Sequence, residues 1–117
     1  MNELEKDFFA FLDMRKQQTL EEASALASDG RRDESNVLKA KANIYDIFKA
    51  LWSASKKTTK DTESFKETLL KKATVIPAQW EASLAAAKKN ADAGKILIEE
   101  AKLSAVSEIM EKLHELL

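Results

Sequence analysis

The stretch "ASDGRRDESN", residues 27–36, decides how the chain is organised, because it separates two long segments of helical periodicity. Its glycine, paired arginines and acidic residues allow two interpretations, an anion-binding loop or the turn of a helical hairpin. An anion loop needs free backbone amides at a helix N-terminus, but Asp33 can occupy those amides itself. The simpler prediction is a turn in which Gly30 ends the first helix, Asp33 caps the second, and Arg31 and Arg32 lie in solvent.

A second stretch, "KKNADAGK" at residues 88–95, repeats this pattern nearer the C-terminus. Here Asn90 stands in the position of the glycine, and Asp92 can cap the helix that follows. Short turns force the helices that they join to lie side by side and antiparallel. We therefore expect two antiparallel hairpins.

Apolar residues recur at spacings of three and four along most of the chain, which places them on one face of a helix. The segment "SASKKTTK" at residues 53–60 has no such face and is predicted to be a solvated connection, with Asp61 or Thr62 as the next cap. Pro77 predicts a break, because proline lacks an amide hydrogen and disfavours a helical residue before it. The predicted helices cover about residues 2–27, 33–53, 61–74, 77–90 and 92–116.

These segments predict an all-α fold, an up-and-down helical bundle. It would have four long rods, or five helices if the third rod is broken at Pro77. A chain of 117 residues with 2 glycines and 1 proline fits one such unit, since strong helix formers dominate and turn chemistry is sparse. We expect residues 1–117 to form a single helical-bundle domain.

Composition restricts the function classes. The 19 basic and 20 acidic residues nearly cancel, so no overall field draws the chain to nucleic acid or to an anionic membrane. Lysines concentrate in residues 41–76, but they point several ways around a helix, which disfavours groove reading. The start "MNELEKDFFAF" lacks the basic region of a signal peptide, and no apolar run approaches the about 18 residues of a membrane span. We expect a cytoplasmic protein without a membrane or nucleic-acid partner.

The sequence offers few residues for catalysis or metal binding. It has no cysteine and a single histidine, His114, and it lacks a nucleophile elbow and a glycine-rich phosphate loop. Glu111 and His114 have the spacing of a di-iron ligand pair, but such a centre needs two pairs and two further glutamates. The simpler interpretation is the solvated acidic side of one helix, formed by Glu100, Glu108, Glu111 and Glu115. We expect no metal, no cofactor and no enzymatic activity.

Four charged residues nevertheless fall on apolar helix faces: Arg15, Lys41, Glu99 and Lys102. Three interpretations remain open for this interior polar cluster. The side chains can extend along the core and keep their charges in water, they can form a buried ion pair, such as Arg15 or Lys41 with Glu99, or they can surround a ligand or a reaction centre.

Large aromatic residues widen the apolar faces of the first two helices beyond the arc that one neighbour covers: Phe8, Phe9, Phe11, Tyr45 and Trp52. They are predicted either to form an interface with a partner or a second copy, or to mark helices that are central in the bundle. The expected function is a helical interaction or scaffold protein that can self-associate. The alternative is a small-ligand-binding or enzymatic bundle that uses the interior polar cluster.

Overall fold

The computed structural model describes residues 2–117, and within them the chain forms four helices and no strand. This confirms the prediction of an all-α helical bundle and selects four helices over five. In this part of the chain, no helix combines the length and the apolar character needed to cross a membrane. The helices are α1 (Asn2–Ser28), α2 (Arg32–Thr58), α3 (Thr62–Lys89) and α4 (Ala93–Leu116).

Gly30 ends α1 as the sequence predicts. Its φ of 77° is left-handed, a conformation that glycine adopts without steric cost. The turn lets the amide of Arg31 donate to the carbonyl of Leu26 at 2.9 Å and the amide of Gly30 donate to that of Ala27 at 3.0 Å. These two bonds satisfy carbonyls that the end of a helix leaves free, and they fix where the chain reverses.

The end of α3 uses the same pair of bonds with a different residue. The amides of Asp92 and Ala91 donate to the carbonyls of Ala87 and Lys88 at 3.0 and 3.2 Å. The left-handed residue is Ala91, with a φ of 52°, so the prediction that Asn90 replaces the glycine is wrong by one position. Asn90 keeps a φ of −90° because its own amide still bonds backwards into α3.

The predicted N-terminal caps are present at α3 and α4 but not at α2. Asp61 accepts a hydrogen bond from the amide of Ser64 at 2.8 Å, and Asp92 accepts one from the amide of Lys95 at 3.2 Å, which confirms both as caps. Asp33 is not a cap. Helix α2 begins at Arg32, so Asp33 lies in its first turn, where its charge favours the positive end of the helix.

Helix α2 also extends further than predicted. It continues to Thr58, whereas the predicted helix ends at about residue 53. Ser55 is fully buried and continues, at spacings of four and three, the face that Phe48 and Trp52 begin. Beyond it, the hydroxyl of Thr59 donates to the carbonyl of Ser55 at 2.8 Å. A small polar residue can thus extend a buried face, which hydropathy alone does not reveal.

Pro77 lies inside α3 and does not end it. Proline removes one helical hydrogen bond, the one to the carbonyl of Ala73, but the segments on either side keep their own. The second half of this helix is only lightly packed. Between Ala73 and Ala87, no residue is buried.

The four helices form a flattened arrangement that measures 48 × 32 × 21 Å. Helices α2 and α4 contact each other through the middle, while α1 packs mainly on α2 and α3 mainly on α4. Within the described residues, α1 and α3 do not approach each other, and α1 touches α4 along only part of its length. One side of the bundle, between α1 and α4, is therefore incompletely closed.

An aromatic cluster closes the end of the core where α2 meets α3. The Trp52 ring stacks on Phe8 with ring centres 5.0 Å apart and meets the Phe65 ring edge-on at 4.7 Å. Its indole nitrogen donates to Glu5 at 3.1 Å, so the buried ring keeps a polar partner. This packing fixes α1, α2 and α3 at that end.

Candidate functional site

The interior charges form a network centred on Glu108 of α4. Arg15 from α1 and the hydroxyl of Tyr45 from α2 each donate to this carboxylate at 2.8 Å, through different oxygens. Lys41 lies 3.6 Å from the same group. One carboxylate thus connects three helices, and both of its oxygens are engaged.

Tyr45 is the residue that the network affects most. Its side chain is almost entirely buried. Burial, reinforced by the hydrogen bond to Glu108 and by the charge of that residue, raises the pKa of Tyr45 to about 12. Its phenol therefore stays protonated and serves as a hydrogen-bond donor. Thr19 closes the same region, where its hydroxyl donates to the carbonyl of Arg15 at 2.7 Å.

Glu99 and Lys102 form a separate pair one helical turn apart on α4. Their charged atoms are 3.4 Å apart, and the Lys102 ammonium lies 5.7 Å from the centre of the Trp80 ring. The Glu99 side chain is only 6% exposed. Its second oxygen has no hydrogen-bond partner among the described residues.

The four residues of the predicted interior polar cluster therefore divide between two places. Arg15 and Lys41 contact Glu108, whereas Glu99 contacts Lys102. Sequence reasoning placed Glu108 on the solvated side of its helix and missed its role. The available signal was Tyr45, since a buried tyrosine hydroxyl usually finds an acceptor on a neighbouring helix.

Of the five aromatic residues predicted as an interface, three lie in the core. Phe8, Tyr45 and Trp52 are at most 1% exposed, and this favours the interpretation that α1 and α2 are held inside the bundle. Phe9 and Phe11 are partly exposed beside that core. Each lies under a lysine ammonium, with Lys49 5.1 Å from the Phe9 ring and Lys112 5.8 Å from the Phe11 ring.

A different apolar surface is left open where α1 ends and α4 begins. We call it the apolar cleft, and Leu97 is its most prominent side chain, 55% exposed. The N-terminal parts of α2 and α4 form most of the cleft, and α1 contributes Leu26. The apolar side chains that line it are Leu26, Val37, Leu38, Leu97 and Ile98.

A second depression, which we call the acidic groove, continues along the same side. Phe11 and Arg15 of α1 face Glu108, Glu111, Lys112 and Glu115 of α4 across it. Leu97 and Glu108 are separated by three helical turns, so they lie on the same face of α4. The apolar cleft and the acidic groove together form the α1–α4 groove.

Among residues 2–117, no three histidine or acidic side chains converge as a metal site would require. Glu111 and His114, the pair with di-iron spacing, are both exposed near the end of α4. Comparison of the chain with protein-family models, with curated proteins and with solved structures found no match.

Proposed function

We propose that this protein is a cytoplasmic, non-catalytic interaction module that binds another protein chain through the apolar cleft at the N-terminal parts of α2 and α4. The observation that carries the proposal is the exposure of Leu97 above Leu26, Val37 and Leu38. Single exposed apolar residues are ordinary on a protein surface, but a cleft lined by apolar side chains from three helices is a preferred protein-binding feature.

The polar network supports this function over the catalytic alternative. Glu108 uses both oxygens on Arg15 and Tyr45, and the raised pKa of Tyr45 keeps its hydroxyl protonated. A general base or a nucleophile needs a free lone pair at an accessible site. Groups that are paired with one another across three helices instead fix the register of those helices.

Site-specific photo-crosslinking tests the proposal, and the chain offers a matched control. Val75 on α3 is 57% exposed, against 55% for Leu97, but does not line the cleft. A benzophenone amino acid is placed at position 97 or at position 75 in the source cell, and the cells are irradiated. We expect a discrete covalent adduct with a protein from position 97 only.

The size of the adduct identifies the kind of partner. A product of twice the mass of the chain indicates self-association, and any other discrete mass indicates a different protein. Absence of an adduct from position 97, or equal crosslinking from both positions, would contradict the proposed function.

A further inference from the structure

The apolar cleft and the acidic groove follow one face of α4, which favours a helix as the occupant of both. Along α4, the distance from Leu97 to Glu111 is about 21 Å at 1.5 Å per residue. A helix of about four turns that lies over the Arg15–Glu108 ion pair would therefore span both depressions. Leu97 is 55% exposed in the apolar cleft, so a docked helix would supply the neighbour that this side chain lacks.

The charges along the groove are predominantly acidic. Five acidic residues and two basic residues line its two parts, although the whole chain carries a net charge of only −1. Both basic residues are already paired, Arg15 with Glu108 and Lys112 with Glu115. The acidic residues are Asp33, Glu34, Glu108, Glu111 and Glu115.

Two of these acids lie outside the ion pairs, whereas Glu108 is shared by Arg15 and Lys41. Asp33, beside the apolar cleft, and Glu111, in the acidic groove, form no ion pair among the described residues. Glu34 is paired with Arg31 in its own helix. Unpaired acids beside each part of the groove create a field that attracts a cationic partner and repels an anionic one.

This charge pattern favours one of the candidate occupants of the groove over the others. A second copy that uses the same groove would bring acids opposite acids, since a two-fold interface presents the same patch on both subunits. A nucleic acid or an anionic lipid surface would meet the same repulsion. A helix with an apolar face and basic flanks satisfies both the cleft and its rim.

We propose that the α1–α4 groove binds an amphipathic helix rich in lysine or arginine from a partner protein. This inference rests on the proposed function and specifies the partner that the function requires. Leucine-sized side chains on one face of the partner helix enter the apolar cleft around Leu97. Its basic residues lie against Asp33 and Glu111.

Fluorescence anisotropy with two designed peptides tests the inference. The first is a labelled 14-residue helix, a length of about four turns, with leucine at spacings of three and four and lysine elsewhere. The second has glutamate in place of every lysine. We expect the lysine peptide to bind the wild-type chain, with affinity that falls as salt rises, and the glutamate peptide to bind at least about tenfold more weakly.

Substitutions locate the binding. Leu97→Ser should weaken binding of the lysine peptide by about tenfold, because it replaces the apolar side chain that the peptide covers with a hydroxyl group. Val75→Ser, an equally exposed site outside the groove, should leave the affinity unchanged. Glu111→Gln should weaken binding less than Leu97→Ser does and reduce its salt dependence.

The inference is overturned if the lysine peptide does not bind, if Leu97→Ser leaves its affinity intact, or if the glutamate peptide binds as tightly. When Leu97→Ser weakens both peptides equally, only the basic character of the partner is refuted, and the interaction function stands. A wild-type dimer that becomes a monomer with Leu97→Ser, seen by sedimentation velocity, also refutes it by placing a second copy in the cleft. The proposed function is tested separately, by the crosslinking at position 97, and fails if that position gives no adduct.

Discussion

Tyr45 lies where α1, α2 and α4 meet, and it is the single tyrosine of the chain. Absorbance of phenolate near 295 nm therefore reports this residue alone. Because burial and Glu108 raise its pKa to about 12, we expect no phenolate in the folded protein until the pH approaches that value. In denaturant the same residue should titrate near its ordinary pKa of about 10.

The raised pKa has a definite effect on stability. The unfolded chain loses the phenol proton at lower pH than the folded chain does, so the stabilising contribution is complete below pH 10 and is lost as the pH rises towards 12. Glu108→Gln should lower the folded pKa of Tyr45, since it removes the neighbouring negative charge. A wild-type titration near pH 10 under native conditions would show that the hydroxyl is not held in the network.

Gly30 and Ala91 occupy equivalent left-handed positions at the ends of α1 and α3. A β-carbon at Gly30 would meet no atom within 4 Å, so Gly30→Ala isolates the backbone cost. We expect this substitution to lower the free energy of unfolding by about 1 kcal/mol, and Ala91→Gly to raise it by about 0.5 to 1 kcal/mol.

Urea unfolding of the two variants measures both changes. The shared turn geometry requires that Gly30→Ala lower the free energy of unfolding and that Ala91→Gly raise it. A loss of stability in Ala91→Gly would show that residue 91 does not adopt the left-handed conformation. The sequence predicts the first turn because glycine signals it, whereas an alanine in this conformation carries no signal in its residue type.

Glu99 is a buried carboxylate with one oxygen unpaired among the described residues. Burying a polar group without a hydrogen bond costs about 1 to 3 kcal/mol, so Glu99→Leu should raise the free energy of unfolding by about 1 to 2 kcal/mol. Glu100→Leu, at the exposed neighbouring position, is the control and should change stability little. Loss of stability in Glu99→Leu would mean that the carboxylate contributes more through Lys102 than its burial costs.

At the scale of helices, α2 and the second half of α3 differ in how many of their residues are buried. Buried residues recur along α2 from Ser35 to Ser55, whereas residues 74–86 of α3 include none. Pro77 also removes one backbone hydrogen bond from that half. Local opening is easiest where few apolar contacts hold the backbone.

Amide hydrogen exchange under native conditions should reveal the contrast. We expect residues 78–86 to exchange at least about tenfold faster than the core-facing residues of α2, a difference of about 1.4 kcal/mol in opening free energy. Exchange in α4 around Ile109 serves as a second reference, because that residue is fully buried. Equal protection of residues 78–86 and α2 would contradict the weak packing of α3.

Helix periodicity and residue chemistry predict helices well here and helix ends less well. Apolar spacing locates the segments that form α1, α2 and α4. Residue type predicts Asp92 as one cap and Asp61 or Thr62 as another, and the structure has Asp92 and Asp61. The extension of α2 through Ser55 was missed because the burial of a small polar residue depends on its neighbours in space. Proline permits either a kink or an end, so residue type alone does not decide whether α3 continues through Pro77.

At the scale of the whole molecule, the register between helices decides what the charges do. The sequence shows that Arg15 and Lys41 lie on apolar faces, but not which acid of α4 they meet. That choice depends on how far α1 and α2 are shifted along α4. The stacking of Trp52 on Phe8 fixes α1 against α2, so these two helices shift along α4 together. The apolar cleft is likewise a property of the assembly, because its lining residues come from three helices that the sequence alone does not bring together.

The most direct test of a binding role for the α1–α4 groove is a ¹H–¹⁵N NMR titration of the chain with the lysine peptide. The account predicts that shift changes concentrate on amides near Leu26, Val37 and Leu97, leave those near Val75 unchanged, and saturate at one peptide per chain. Changes that spread evenly over the surface, or that centre on α3 while the groove residues stay still, would contradict it.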